Sequence, residues 1–194
     1  MASYPPAPCC TVGFKHEGTP QEKDVGIADG EYMAYLATPP PKMAKKSVAV
    51  LYLSDIMGIW QDGRLLADQF AANGYLALLV GTFNGTPIPV NKVRKIKMPA
   101  WLSGGSTGDN HRNEPAVDPI VKDTIKIMEE EYGGKKLRAV GYCFGAKYLV
   151  RHFNAGYIAH PSYASDDELA ALTGPLSIFP AEKRHETEGY PSKG

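Results

Sequence analysis

Apolar residues in this chain fall into short unbroken runs, separated by longer stretches where they recur every third or fourth position. Ser47-Val-Ala-Val-Leu-Tyr-Leu53 is one such run and Tyr75 to Val80 is another. Continuous apolar runs of strand length suit strands covered on both faces. Glu31 to Thr38 alternates loosely and predicts a first strand. Pro39-Pro40-Pro41 closes it, because proline cannot donate to a central ladder. Leu65, Leu66 and Phe70 sit at helical spacing, and Gly74 supplies the stop. Asp118-Pro119 reads as an N-cap followed by proline at the first helical position. That helix runs through Ile120, Val121, Thr124, Ile127 and Met128 to Tyr132, where Gly133-Gly134 ends it. A strand from Lys136, a helix from Phe144 to about His152, and two short strands, Ala155 to His160 and Leu176 to Phe179, complete the pattern.

Strands alternating with helices predict an α/β fold with a doubly wound, mostly parallel sheet. In such sheets crossovers are right-handed and ligands gather beyond the carboxyl ends of the strands. Cys143, Asp55 and His160 each follow the carboxyl end of a predicted strand, so three chemically able side chains fall on one rim. The segment 81–116 is the least regular, with Asn84-Gly85 and Gly104-Gly105-Ser106. It reads either as a cap over the rim or as a surface loop, within a single domain spanning 1–194.

The stretch from Lys136 to Lys147 concentrates the chemistry. It reads strand, sharp turn, helix, with Gly141-Tyr142-Cys143-Phe144-Gly145 at the turn. Gly-x-Cys-x-Gly is the nucleophile elbow of α/β-hydrolases with cysteine in place of serine. The apical residue of such a turn is strained, and side chains on the glycines would crowd strand against helix. The turn also sets the sulfur at a helix N-terminus, where the dipole favours a thiolate. The plain alternative is that Cys143 is a small buried residue after a strand.

Composition narrows the field. The 194 residues fit one domain, and 21 basic residues balance 21 acidic ones, so no electrostatic case exists for nucleic acid or an anionic membrane. No apolar run has the length of a bilayer span, and Met1 to Pro8 lacks the features of a signal peptide. A cytoplasmic protein is the expectation. Cys9-Cys10 and His16 lack a fourth ligand at suitable spacing, so no metal and no cofactor are expected.

Several stretches resemble the dienelactone hydrolase family, in particular its fungal branch. They are Cys9-Cys10-Thr11 with His16 to Pro20, Leu53-Ser54-Asp55-Ile56-Met57-Gly58, Leu66 to Tyr75, Phe83-Asn84-Gly85, Gly141 to Tyr148, and Ala159-His160-Pro161-Ser162. The resemblance implies an α/β-hydrolase fold and a Cys-His-Asp triad that cleaves a lactone or ester through a thioester. It implies Cys143 as nucleophile, with the backbone N–H groups of Ile56 and Phe144 as the oxyanion hole. The family's early turn usually carries a glutamate that helps ionise the cysteine. Asp55 stands in that place, one methylene shorter, and reads either as an aid to ionisation or as a cap on the turn.

Downstream the chain departs from the family. Ile178 runs directly into Phe179-Pro180, where the resemblance implies several intervening residues including the triad aspartate. Asn154-Ala155 joins Phe153 to Gly156 without the usual spacer, and the implied last strand, its helix and the His-Gly-Phe turn find no match. Of the histidines, His152 lies on the elbow helix, His185 follows Glu182 at helical spacing, and topology puts only His160 near the elbow. His160 is a base or, as in the family, part of the pocket wall.

Two functions therefore stand side by side. One is a cysteine hydrolase of an ester or lactone, weak or inactive without its aspartate and histidine. The other is a non-catalytic protein that binds small carbonyl or lactone ligands, or associates with itself through an exposed sheet edge. A thiol sensor lacks a resolving cysteine near Cys143, and the glycines there do not make the dinucleotide-binding pattern.

Overall fold

The computed structural model describes residues 17–89, 92, 95–105 and 107–180. Cys9, Cys10, His16, Glu182 and His185 lie outside the described residues. Among the described residues, seven strands form one sheet: β1 (Lys23–Ile27), β2 (Tyr32–Ala37), β3 (Val48–Leu53), β4 (Leu76–Val80), β5 (Lys136–Tyr142), β6 (Gly156–Ala159) and β7 (Leu176–Phe179). Their spatial order is β1-β2-β4-β3-β5-β6-β7. β1, β2 and β4 pair antiparallel in turn, and every pair from β4 to β7 is parallel. The helices are α1 (Gln61–Ala72), α2 (Met98–Gly104), α3 (Glu114–Glu130), α4 (Phe144–His152) and α5 (Asp166–Ala170).

Side-chain alternation along β3 and β4 splits the core into two layers. Leu51, Leu53, Leu78 and Val80 face one cluster, together with Val121 of α3 and Leu149 of α4. Val50, Tyr52, Ala77 and Leu79 face the other, with Ala67 and Ala71 of α1. Both faces of the central strands are thus covered, which is why their apolar runs are continuous. Truncating Leu51 or Leu53, both fully buried, would cost about 2–5 kcal/mol.

The elements differ from the sequence reading in four places. β1 has three exposed residues in five, Lys23, Asp24 and Gly26, and pairs on one side only, so it carries little apolar signal. α3 begins at Glu114, with Asn113 as N-cap and Pro115 in the first turn. Pro119 is therefore inside the helix, and Asp118 is not a cap: its carboxylate takes Arg151 and His152 instead. The excursion 81–116 holds a short helix, α2. α5 opens with a capping box between Ser165 and Glu168.

Among the described residues, β1 and β7 are the outermost strands of the sheet. On β7, Ile178 and Phe179 are 51% and 66% exposed, the surface on which the sequence reading puts self-association. Among the described residues no helix is long and apolar enough to cross a membrane.

Candidate active site

The parallel register carries the rim. Leu53 pairs with Gly141, and Asp55 and Cys143 each follow two residues later. Tyr142 pairs with Ala159, and Cys143 and His160 each follow one residue later. Asp55, Cys143 and His160 therefore succeed one another along the carboxyl ends of three adjacent strands.

Cys143 has φ +50° and ψ −110°, a left-handed conformation unusual for a residue with a Cβ, and α4 starts at the next residue. Strain of this kind costs on the order of 1–3 kcal/mol and persists only where the surroundings enforce it. They do so through two glycines. A Cβ on Gly141 would stand 2.8 Å from Cα of Ala146, and one on Gly145 would stand 2.7 Å from the Ser54 carbonyl oxygen. Strand, turn and helix can meet at this distance only without those side chains.

The segment after β6 closes on the turn. The Cys143 N–H donates to the Ala159 carbonyl at 3.0 Å, and the Ser162 N–H donates to the Cys143 carbonyl at 3.0 Å. The Cys143 Sγ lies 3.4 Å from the Ser162 Oγ. Both residues are buried, Cys143 completely. Ser162 is the functional candidate that sequence reasoning does not single out. No spacing marks it, since it meets Cys143 only through the β5–β6 pairing.

Asp55 is buried at the end of β3, and its Oδ1 accepts the Met57 N–H at 2.8 Å. The carboxylate therefore caps the 55–58 turn. It also lies near Tyr52, whose hydroxyl is held well above its ordinary value first by burial and then by the Asp55 charge. Ile56 is fully buried, and its carbonyl accepts the Ile88 N–H at 3.0 Å, which ties the 81–116 excursion to this turn. The Phe144 N–H is at the first helical position of α4, where no intrahelical acceptor exists.

His160 is half-buried, with φ +38°. Its N–H donates to the Phe179 carbonyl at 2.7 Å, and its ring stands 6.3 Å from that of Tyr142. Burial pushes its imidazole below the usual histidine value, which favours the neutral ring. His152 points elsewhere, with Nε2 2.8 Å from Asp118, and His111 is exposed.

The aromatic residues near the rim form two groups rather than one wall. Trp101, Phe83, Phe144 and Tyr148 stack in sequence at centroid distances of 5.2, 5.1 and 5.1 Å. Tyr142 packs with Tyr52 and Tyr157, and burial pushes its hydroxyl up to about 12. A cavity of about 820 Å³ opens beside the first group, lined by Tyr32, Met33, Gly58, Ile59, Phe83 and Ile120 among others. Cys143 is not in its lining. Phe83 is, with the ring of Phe144 directly against it.

Comparison with known proteins gives this geometry a family. Residues 32–180 match the model of the dienelactone hydrolase family. Hydrolase tropI of Talaromyces stipitatus is 42% identical over 204 aligned positions, covering 97% of this chain and 78% of that protein. Hydrolase pyvD of Aspergillus violaceofuscus is 40% identical, with coverage of 97% and 78%. Both alignments are longer than the 194-residue chain, so these relatives carry residues it lacks. Among solved structures, a putative dienelactone hydrolase from Klebsiella pneumoniae superposes with a TM-score of 0.57 at 14% identity, over 81% of this chain and 84% of that one. At that identity the likeness is one of fold.

Proposed function

The chain belongs to the dienelactone hydrolase family, and we propose that within it this protein is a cysteine hydrolase of esters or lactones that acylates readily and releases its product slowly. The observation that carries the reading is Cys143 at the apex of a strained strand–helix turn, φ +50°, at the start of α4. In this reading the Cys143 thiolate attacks the substrate's carbonyl carbon. The Ile56 and Phe144 N–H groups donate to the developing oxyanion, a term worth several kcal/mol of barrier. The carbon–oxygen bond to the alkoxy group breaks and the alkoxide takes up a proton, departing as the alcohol from an ester or remaining as a tethered hydroxyl from a lactone, and a thioester remains on Sγ.

The second half of the cycle needs a base to activate water against that thioester. His160 is the one histidine among the described residues that follows the rim strands, and its ring packs on Tyr142. Asp55 is engaged by the Met57 N–H. If His160 does not serve as that base, turnover falls on the order of 10⁴-fold, and the acyl-enzyme accumulates. A small activated ester such as 4-nitrophenyl acetate tests this. The expected result is a burst of one equivalent of nitrophenol, an acetyl adduct mapped to Cys143, and a slow steady state. Cys143→Ala abolishes both burst and adduct. A burst that survives Cys143→Ala overturns the assignment of the nucleophile, and rapid multiple turnovers overturn slow release.

A second reading is a binding protein without turnover. It is favoured by the complete burial of Cys143 and by its absence from the lining of the 820 Å³ cavity. Ester binding without any adduct on Cys143 would support it.

A further inference from the structure

We propose that Ser162 is a positioning residue for the Cys143 thiol: its hydroxyl hydrogen-bonds the sulfur, sets the direction of the side chain and favours the thiolate. For its use in catalysis the proposal rests on the reading of Cys143 as nucleophile, and its test does not. The Sγ–Oγ separation of 3.4 Å is within hydrogen-bond range for sulfur, and both atoms belong to buried side chains.

The backbone holds the two residues side by side. Residues 159–162 grip the elbow from both sides, with Ala159 accepting from the Cys143 N–H and Ser162 donating to the Cys143 carbonyl, each at 3.0 Å. The Ser162 hydroxyl cannot leave the sulfur by a shift of its loop without breaking one or both of those bonds. A buried hydroxyl must be satisfied, and a neutral thiol is a poor acceptor. A thiolate is a strong one, because a hydrogen bond to an ionised acceptor is charge-assisted. The bond therefore gains strength as Cys143 ionises, which shifts the thiol toward its charged form. Lys147, the first cation along α4, is not available for this task. Its ammonium is taken by Glu114, Glu168 and the Tyr163 carbonyl.

The test is a thiolate titration of the whole chain by ultraviolet absorbance. Subtracting the Cys143→Ala variant removes the tyrosines and the other two cysteines from the signal. The titratable groups on the elements around the elbow are Tyr52 on β3 and Asp55 after it, Lys136, Arg138 and Tyr142 on β5, Lys147, Tyr148, Arg151 and His152 on α4, Tyr157 on β6, and His160 and Tyr163 after β6. Each Ser162 variant shares all of them with the parent, so a difference in midpoint isolates the hydroxyl. Ser162→Ala is expected to raise the Cys143 midpoint by about half to one pH unit, the order of one hydrogen bond to a charged acceptor. Ser162→Thr, which keeps the hydroxyl, is expected to restore it. Ser162→Gly removes the same group and carries the test if the alanine variant does not fold.

An unchanged midpoint in a folded hydroxyl-free variant overturns the proposal. No ester takes part, so the two readings fail separately. A shifted midpoint without acylation leaves the Ser162 assignment standing and removes the hydrolase. Acylation with an unshifted midpoint does the reverse.

Discussion

Gly145 lies so close to the end of β3 that a methyl group on its Cα would overlap the Leu53 carbonyl. The relationship joins α4 to β3 without an intervening side chain, and it places the Cys143 turn beside Asp55. Gly145→Ala is therefore expected to destabilise the fold by about 3 kcal/mol or more, since the atoms met are backbone and cannot swing aside. Gly104→Ala is the control, because a Cβ there meets only the Asp109 nitrogen at 3.9 Å. It is expected to change stability by less than about 0.5 kcal/mol. Urea unfolding of the two variants distinguishes these outcomes.

Arg112 is the brace of the 81–116 excursion. Its guanidinium is buried and donates to the Thr86 carbonyl at 2.9 Å, the Thr86 hydroxyl at 2.6 Å, and the carbonyls of Trp101 and Asn110. It also lies 4.2 Å from the Trp101 ring centroid. Arg112→Met keeps the apolar stem and leaves those acceptors unmet, at a cost of about 3 kcal/mol. Limited proteolysis is expected to cut the variant faster within 81–116 than elsewhere. Cleavage spread evenly over the chain would contradict the bracing role.

Stability is expected to fall on acidification in two steps. Burial pushes the His160 imidazole below its ordinary value of 6.5. The unfolded chain then binds a proton that the folded chain refuses, and stability declines as pH drops below about 6.5. The carboxylates follow at lower pH. Burial would raise Asp118 and Glu168, but hydrogen bonds outweigh it, from Arg151 and His152 on Asp118 and from the Ser165 N–H, Arg151 and Lys147 on Glu168; both are held below the carboxylate range. Their contribution is present above the unfolded carboxylate values and is lost as pH falls through the depressed ones. Unfolding free energies measured from pH 8 to pH 3 should show both steps. His160→Gln should remove the first and leave the second.

The fold was legible where burial alone dictates the residue type. β3, β4 and α4 emerge from apolar runs and punctuation because tertiary contacts agree with local preference there. β1 escapes because an edge strand with solvent on most positions needs no apolar pattern. The start of α3 shows two competing signals. Asn113-Glu114-Pro115 and Asp118-Pro119 have the same form, and the ion pairs to Arg151 and His152 claim Asp118 for another purpose. The Ser165–Glu168 capping box was present in the sequence as Ser-x-x-Glu and would have revealed α5. At the site, the elbow is readable because steric demand imposes its glycines. The Cys143–Ser162 contact is not, because a 19-residue separation is bridged only by the β5–β6 register.

Access to Cys143 is expected to depend on Phe83. The side chain lines the 820 Å³ cavity, and its ring packs 5.1 Å from that of Phe144, the residue next to the fully buried Cys143. The contacts running from the cavity toward the elbow thus pass through two aromatic rings. Phe83→Leu shortens the first ring at a cost of about 1–2 kcal/mol, which leaves the core able to fold. A small alkylating agent should then reach Cys143 several-fold faster, as read by mass mapping of the labelled cysteine. Met33→Ala, at the outer wall and 49% exposed, widens the cavity mouth without touching that pair. It should leave the rate unchanged. Equal rates in the parent and Phe83→Leu would mean that reagents approach the sulfur from another side, and the cavity would then be a site independent of the thiol.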